Sequence, residues 1–325
     1  MEARRLGMLA FRIGVSLLAL AYIGWELHRH VDDFAQLWGH AWTGSAYAAL
    51  AFAMLLMPLN YLLEAEKWRS VVRSFYPDLA LGRAFWAVLA GMASGIFTPN
   101  RVGEYAGRVL FLSEGKRVEA IVATFVDRVC QLLVTLVCGL LALGALVVQF
   151  GGGFLEGLLA APATRVLFLV FAVAMGLTVL LFLAAPQQLA RWLPQRWNSA
   201  VWIRKVRFAL SRLPARDIRR VVGLSLLRYF VFSCQYVLLM WAFGYTGGLW
   251  LGLGVVALVF FGKSVLPVMG IFELGVRETV AVLVMGAFGL AKPMAVSSTF
   301  VLYVLNILLP TLLGILAVQR LGRRG

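Results

Sequence analysis

Nine ionisable residues lie in or beside apolar stretches of this chain: Arg101, Glu104, Arg108, Asp127, Arg128, Lys263, Glu273, Arg277 and Glu278. At membrane depth each charge is unfavourable by about 2.5 kcal/mol or more on insertion scales unless it is paired or hydrated. Arginine and lysine there suit an anionic head group, phosphate above all, because a guanidinium grips two oxygens at once. Carboxylates in the same place suit a zwitterionic or cationic head group, or a coupling proton. As general acid and base they would serve a membrane-embedded hydrolase or transferase. The spacing also fits internal clamping. Glu104 and Arg108 are four apart, Glu273 and Arg277 four apart, and Arg101 and Glu104 three apart, so on helices each pair shares a face.

Two stretches carry most of these residues. The first, 95–115, reads GIFTPNRVGEYAGRVLFLSEG, and the second, 263–278, reads KSVLPVMGIFELGVRE. Pro99, Gly103, Glu104, Gly107 and Arg108 are loosely echoed by Pro267, Gly270, Glu273, Gly275 and Arg277. Paired hydrophobic segments interrupted by glycine and proline, one in each half of a chain, are a pointer to a transporter's binding site. Thr98 is read as an N-cap and Pro99 as the first residue of a new helix. Hairpin tips are expected at Pro99 and Gly103 in one copy and Pro267 and Gly270 in the other, with helix N-termini facing a polar cavity between them. Arg101 and Lys263 would add full charge to that cavity.

The elements that must position these groups follow from composition. Of 325 residues, 62% are hydrophobic and only 14% charged, against roughly 25% charged in soluble domains. Mean hydropathy is +0.87. This is the composition of a polytopic membrane protein, and it leaves no room for a folded soluble domain. The net charge of +15 reads as a topology signal in the loops rather than as a nucleic-acid surface. Cys130, Cys138 and Cys234 all lie in apolar runs and read as small buried residues. His28, His30 and His40, near Asp32 and Asp33, read as a polar loop, and no metal or cofactor is expected. The sequence has no HExxH, GxSxG or GxxxxGK[ST] motif, so neither hydrolase chemistry nor nucleotide binding is signalled.

Clear spans are expected at 8–26, 45–63, 119–149, 164–185, 221–243 and 294–318. The first resembles a secretory signal and is expected to stay as an uncleaved span. A basic loop at 64–83 holds Glu64, Glu66, Lys67, Arg69, Arg73 and Arg83. Segment 186–220 carries nine Lys/Arg against Asp217 alone, together with Trp192, Trp197 and Trp202, the mixture of a helix lying in the headgroup layer. Cytoplasmic placement of both termini, the 64–83 loop and 186–220 satisfies the positive-inside rule throughout. The interrupted segments then enter from opposite faces, as in an inverted repeat.

The fold class expected is therefore all-α: about six full transmembrane helices plus two oppositely oriented re-entrant or broken helical hairpins. A single transmembrane domain, 1–325, would divide into a first half of about 1–185 with hairpin 84–115, the basic segment 186–220, and a second half of about 221–325 with hairpin 249–290.

Pro99-Asn100-Arg101-Val102-Gly103-Glu104, Asp127-Arg128, Pro267 and Gly275-Val276-Arg277-Glu278 resemble the transmembrane region of the lysylphosphatidylglycerol synthase family, flippase-like integral membrane proteins. Members often carry Glu-Arg where this chain has Asp127-Arg128, and Ile271-Phe272-Glu273 departs from a glycine-richer version. The resemblance implies movement of a lipid or lipid-linked head group between leaflets of a bacterial or archaeal cytoplasmic membrane. The expected partners are membrane lipids, an anionic phospholipid or a polyprenyl-phosphate type, with homo-oligomerisation left open. No aminoacyltransferase domain follows in the sequence, so synthesis of lysylphosphatidylglycerol is not implied. The alternatives are a membrane-embedded enzyme acting on a lipid phosphate and a non-catalytic subunit of a lipid or glycan biosynthetic complex.

Overall fold

The computed structural model describes residues 21, 44–96, 98, 101–113, 115–150, 201–265 and 273–320. These residues are overwhelmingly helical, and no strand occurs among them. In chain order the helices are α1 (Gly44–Val72), α2 (Leu81–Gly95), α3 (Gly103–Val109), α4 (Arg117–Phe150), α5 (Val201–Arg212), α6 (Ala215–Ala242), α7 (Leu249–Val265), α8 (Glu273–Ala287) and α9 (Lys292–Tyr303). A π-helical turn, Val304–Leu308, joins α9 to α10 (Leu309–Arg320). Among the described residues four helical stretches are long and apolar enough to cross a membrane: α1, α4, α6 and the run from α9 through α10. The chain is a multi-pass, all-α membrane protein.

The spans expected at 8–26 and 164–185 lie outside the described residues, as do His28, His30, His40, Pro99, Pro267 and Gly270. Elsewhere the structure moves several boundaries. The span expected to end at 63 continues to Val72, and Glu64 and Lys67, expected in a loop, are buried within α1. Partners on other helices hold those charges, so the apolar run stops where the helix does not. Of the basic segment 186–220 the described part, 201–220, is divided between α5 and α6. Pro214 stands in extended backbone, and α6 starts at Ala215, so Arg216, Arg219 and Arg220 belong to its first turns.

Packing centres on α1 and α6, which pair most extensively, with α4, α2 and α9 around them. Trp68, Tyr236, Phe300 and Tyr303 are fully buried there. Large apolar side chains such as Phe52, Leu55, Phe125, Leu141 and Phe230 remain exposed on the long helices, which is the surface a hydrocarbon solvent favours. Helix α2 is rich in small residues and admits two neighbours at backbone distance. A Cβ on Gly107 of α3 would lie 2.8 Å from the Ala90 carbonyl, and one on Gly314 of α10 would lie 2.1 Å from that of Leu89.

Candidate functional site

The turn between α2 and α3 sets the first wall of the site. Helix α3 begins at Gly103 and not at Pro99, which lies outside the described residues. Thr98 still serves the helix start. Its hydroxyl accepts the Gly103 N–H at 2.8 Å and donates to the Gly95 carbonyl at 2.9 Å. Gly103 is pressed against α2 so closely that a Cβ would meet the Ser94 carbonyl oxygen at 2.1 Å. Arg101 therefore stands in the turn and not on a helix face shared with Glu104. Its φ is +56°, a left-handed conformation uncommon outside glycine, and its guanidinium reaches Met92 Sδ at 3.7 Å.

Behind that turn lies a buried charged cluster assembled from four helices. Glu64 of α1 meets Lys67 at 2.9 Å, Arg108 at 2.6 Å, Arg128 at 3.0 Å and Arg228 at 3.3 Å. Glu104 is gripped by Arg108, at 2.5 Å, and by Arg128. Asp127 is fully buried, with Lys67 at 3.4 Å and Arg108 at 3.8 Å. The Gln131 side-chain oxygen accepts from Lys67 at 3.1 Å and from Arg228 at 3.3 Å. Arg108 also lies over the Trp68 ring, 5.8 Å from its centroid, and the indole N–H donates to Thr124 at 2.8 Å. Buried ions persist only when paired, and Asp127 has its ion pairs without a hydrogen bond. A Cβ on Gly91 would sit 2.8 Å from Arg108 Cγ and 2.9 Å from Glu104 Cγ, so the bare backbone there leaves room for the cluster.

The cluster forms one face of a cavity of about 350 Å³. Arg101, Glu104, Tyr105 and Arg108 line it from the first interrupted segment, and Arg128, Gln131, Leu132 and Thr135 from α4. Arg228, Tyr229 and Phe232 line it from α6, and Phe260, Lys263, Ser264 and Arg277 from α7 and α8. Tyr61, Glu64, Met92, Asn306 and Ile307 are the remaining lining residues among those described. Phe232 and Phe260 stack with ring centroids 5.1 Å apart and planes inclined by 8°. The cavity lining thus mixes charged and aromatic side chains, a set suited to an anion with an apolar attachment.

Six of the nine residues singled out in the sequence line this cavity: Arg101, Glu104, Arg108, Arg128, Lys263 and Arg277. Asp127 stands behind the lining. Glu273 is the first residue of α8, and Glu278, in its second turn, is not among the lining residues. Sequence reasoning missed Glu64, Lys67, Gln131, Tyr61, Asn306 and Arg228 as site residues. For Glu64 and Lys67 a signal existed: they share a helix face with Asn60 and Tyr61, one turn earlier in the same apolar run.

A family model described as the lysylphosphatidylglycerol synthase TM region matches residues 9–314. No curated protein and no solved structure matches the chain.

Proposed function

The chain belongs to the lysylphosphatidylglycerol synthase TM-region family, and from that membership we propose that it is a lipid translocator. It would move an anionic or phosphate-bearing lipid, or a lipid-linked head group, between leaflets without ATP. The observation that supports this reading most is the cavity itself, where Arg101 of the first interrupted segment and Lys263 and Arg277 of the second face one space. Two broken helical segments meeting at a polar site are the arrangement from which alternating access is built. On this reading the halves 1–185 and 221–325 are an inverted repeat in a bacterial or archaeal cytoplasmic membrane, with both termini cytoplasmic. Lys263, Arg277 and Arg101 hold the head group, while Glu104, Arg108, Asp127 and Arg128 fix the wall behind it. Glu273 and Glu278 adjoin the site at the start of α8.

Arg101 gives the test. Its conformation is strained and its side chain lines the cavity, whereas Glu104 already has Arg108 and Arg128. Arg101→Ala should stay folded in detergent and lose on the order of tenfold or more in lipid translocation in liposomes, while Arg101→Lys keeps part of it, since the charge survives without the bidentate grip. Adding Glu104→Gln should restore nothing. Full translocation by a folded Arg101→Ala protein would remove Arg101 from the site. Chemical alteration of the lipid in the same vesicles would mark an enzyme instead. Unchanged lipid with unchanged leaflet distribution would mark an accessory subunit.

A further inference from the structure

A second cavity, of about 440 Å³, lies between Ser70, Arg73 and Ser74 at the end of α1 and Arg212, Asp217 and Arg220 at the α5–α6 corner. No described residue lines both cavities. Helix length places it along the membrane normal. Helices α1 and α6 have 29 and 28 residues, so each extends about 42–44 Å, beyond a hydrocarbon core of about 30 Å. Both carry polar residues at this end, past Leu63 in α1 and before Val221 in α6, so the cavity lies in a headgroup layer. Helix α5 ends at the same corner. Its Arg204, Phe208 and Arg212 follow one another at intervals of four and are all exposed, while Ala209 and Leu213 are buried, the pattern of a helix lying along an interface.

The side chains around this cavity are engaged to different degrees. Glu66 is held by Arg69 at 2.6 Å and by Arg220 at 2.8 Å, and Asp217 accepts from the Ser74 hydroxyl at 3.1 Å. Ser70 is only 7% exposed, and its hydroxyl donates to the Glu66 carbonyl at 2.8 Å. Those groups are tied to the walls. Arg73, by contrast, donates through Nε to the Pro77 carbonyl at 3.2 Å, a bond that leaves the terminal nitrogens of the fork. The Arg212 guanidinium lies over the Phe208 ring, 4.9 Å from its centroid, a contact that uses the face of the group and leaves its in-plane N–H donors. Two such forks in one cavity suit the oxygens of a phosphate. Phe208, 47% exposed, sets an apolar ring beside Arg212 where acyl chains begin.

We infer that this cavity holds the phosphate of an anionic phospholipid of the surrounding leaflet, a resident lipid separate from any molecule in the first cavity. A phosphatidylcholine carries an ammonium that already accompanies its own phosphate, so the anionic head group is the better partner for the two arginines. Free phosphate has the same oxygens but no chain to lie against Phe208. The inference needs only the membrane-spanning fold and does not rest on translocation.

The experiment is native mass spectrometry of the full chain released from neutral-detergent micelles that contain equal amounts of dioleoyl phosphatidylglycerol and dioleoyl phosphatidylcholine. The parent should retain phosphatidylglycerol in preference. Arg73→Gln combined with Arg212→Gln should weaken that retention on the order of tenfold, the scale of one lost charge-assisted hydrogen bond. Arg216→Gln combined with Arg219→Gln removes two exposed arginines of α6 outside the lining and should leave retention unchanged. The loss should persist in an Arg101→Ala background, which separates it from any lipid held by the first cavity. Equal retention of the two lipids by the parent, an equal loss in the Arg216 and Arg219 control, no loss in the Arg73 and Arg212 variant, or a loss that vanishes in the Arg101→Ala background would each overturn the inference. Displacement of the lipid by excess inorganic phosphate would assign the cavity to a small soluble anion and overturn it too. The parent's preference alone decides if a variant does not fold.

Discussion

Asn60 and Tyr61 sit one turn before Glu64 and Lys67 on α1, yet the two pairs enter clusters of different kinds. The first is neutral. The Asn306 amide donates to Gln235 at 2.9 Å and to the Leu302 carbonyl at 3.1 Å, and its oxygen accepts from Asn60 at 3.0 Å. Tyr61 donates to the Asn306 carbonyl at 2.6 Å, and Gln235 to that of Ala53 at 2.9 Å. Each link has one donor, one acceptor and one direction, so the cluster fixes how α1, α6 and the π-helical turn sit together. The Asn306 carbonyl is open to Tyr61 because residue 310, four positions on, is a proline with no N–H to donate. The charged cluster instead shares its groups: Glu64 meets four cations and Arg108 meets three carboxylates. Sharing gathers Lys67, Arg108, Arg128 and Arg228 around Glu64, Glu104 and Asp127. One helix thus carries a rigid joint and a charged wall on successive turns.

Glu64→Ala breaks this contrast hardest. It leaves Lys67, Arg108, Arg128 and Arg228 facing only Glu104 and Asp127, and removal of one partner from a buried ion cluster typically destabilises by about 3–5 kcal/mol. Thermal unfolding in detergent should show that loss, or the variant should fail to accumulate in the membrane. Asp127→Asn should lose less, because its contacts at 3.4 and 3.8 Å are looser than those of Glu64. In the neutral cluster, Asn306→Ala strands Asn60 and Gln235, and a buried group left without its partner carries a penalty of about 1–3 kcal/mol. Measured in the same way, it should fall between Glu64→Ala and any surface variant. A loss for Asn306→Ala as large as that for Glu64→Ala would mean that the charge of a cluster does not set its contribution.

These ranks also mark what could be read in advance. The all-helical membrane fold follows from composition, and the pairing of Glu104 with Arg108 follows from a spacing of four on a helix. The expectation that Arg101 and Lys263 share a polar space rested on Gly and Pro interruptions, and the cavity contains both. Glu64 and Lys67 were hidden because a hydropathy pattern treats charge as an exit from the bilayer, and only partners on α3, α4 and α6 make it an interior feature. The start of α3 was misplaced for a related reason. Thr98-Pro99 has the local signature of a helix start, but the close approach of Gly103 to the Ser94 carbonyl favours a turn first, with Thr98 capping from five residues back. Asn306 carried no periodic or motif signal. Pro310, four residues on, does announce an open Asn306 carbonyl, but the partners that fill it lie on α1 and α6 and are set by packing.

The smallest expected effect tests whether burial, rather than ion pairing as such, separates the two clusters from the rest of α1. Glu66 lies only two residues past Glu64, and it too is paired, with Arg69 at 2.6 Å and Arg220 at 2.8 Å. Arg220, however, is 58% exposed, so water screens it in either state and its side chain must be ordered to make the contact. Pairs of this kind contribute about 0–1 kcal/mol. Arg220→Ala also leaves Glu66 with Arg69, so no carboxylate is stranded. The variant should unfold within about 1 kcal/mol of the parent, and the difference should shrink further as salt is raised through physiological strength and above. The loss in Glu64→Ala should be nearly indifferent to the same salt, because bulk ions do not reach a buried cluster. If Arg220→Ala matched Asn306→Ala, or if salt erased the Glu64→Ala loss, then exposure would not be what divides these ion pairs, and the charged wall would be a solvated surface.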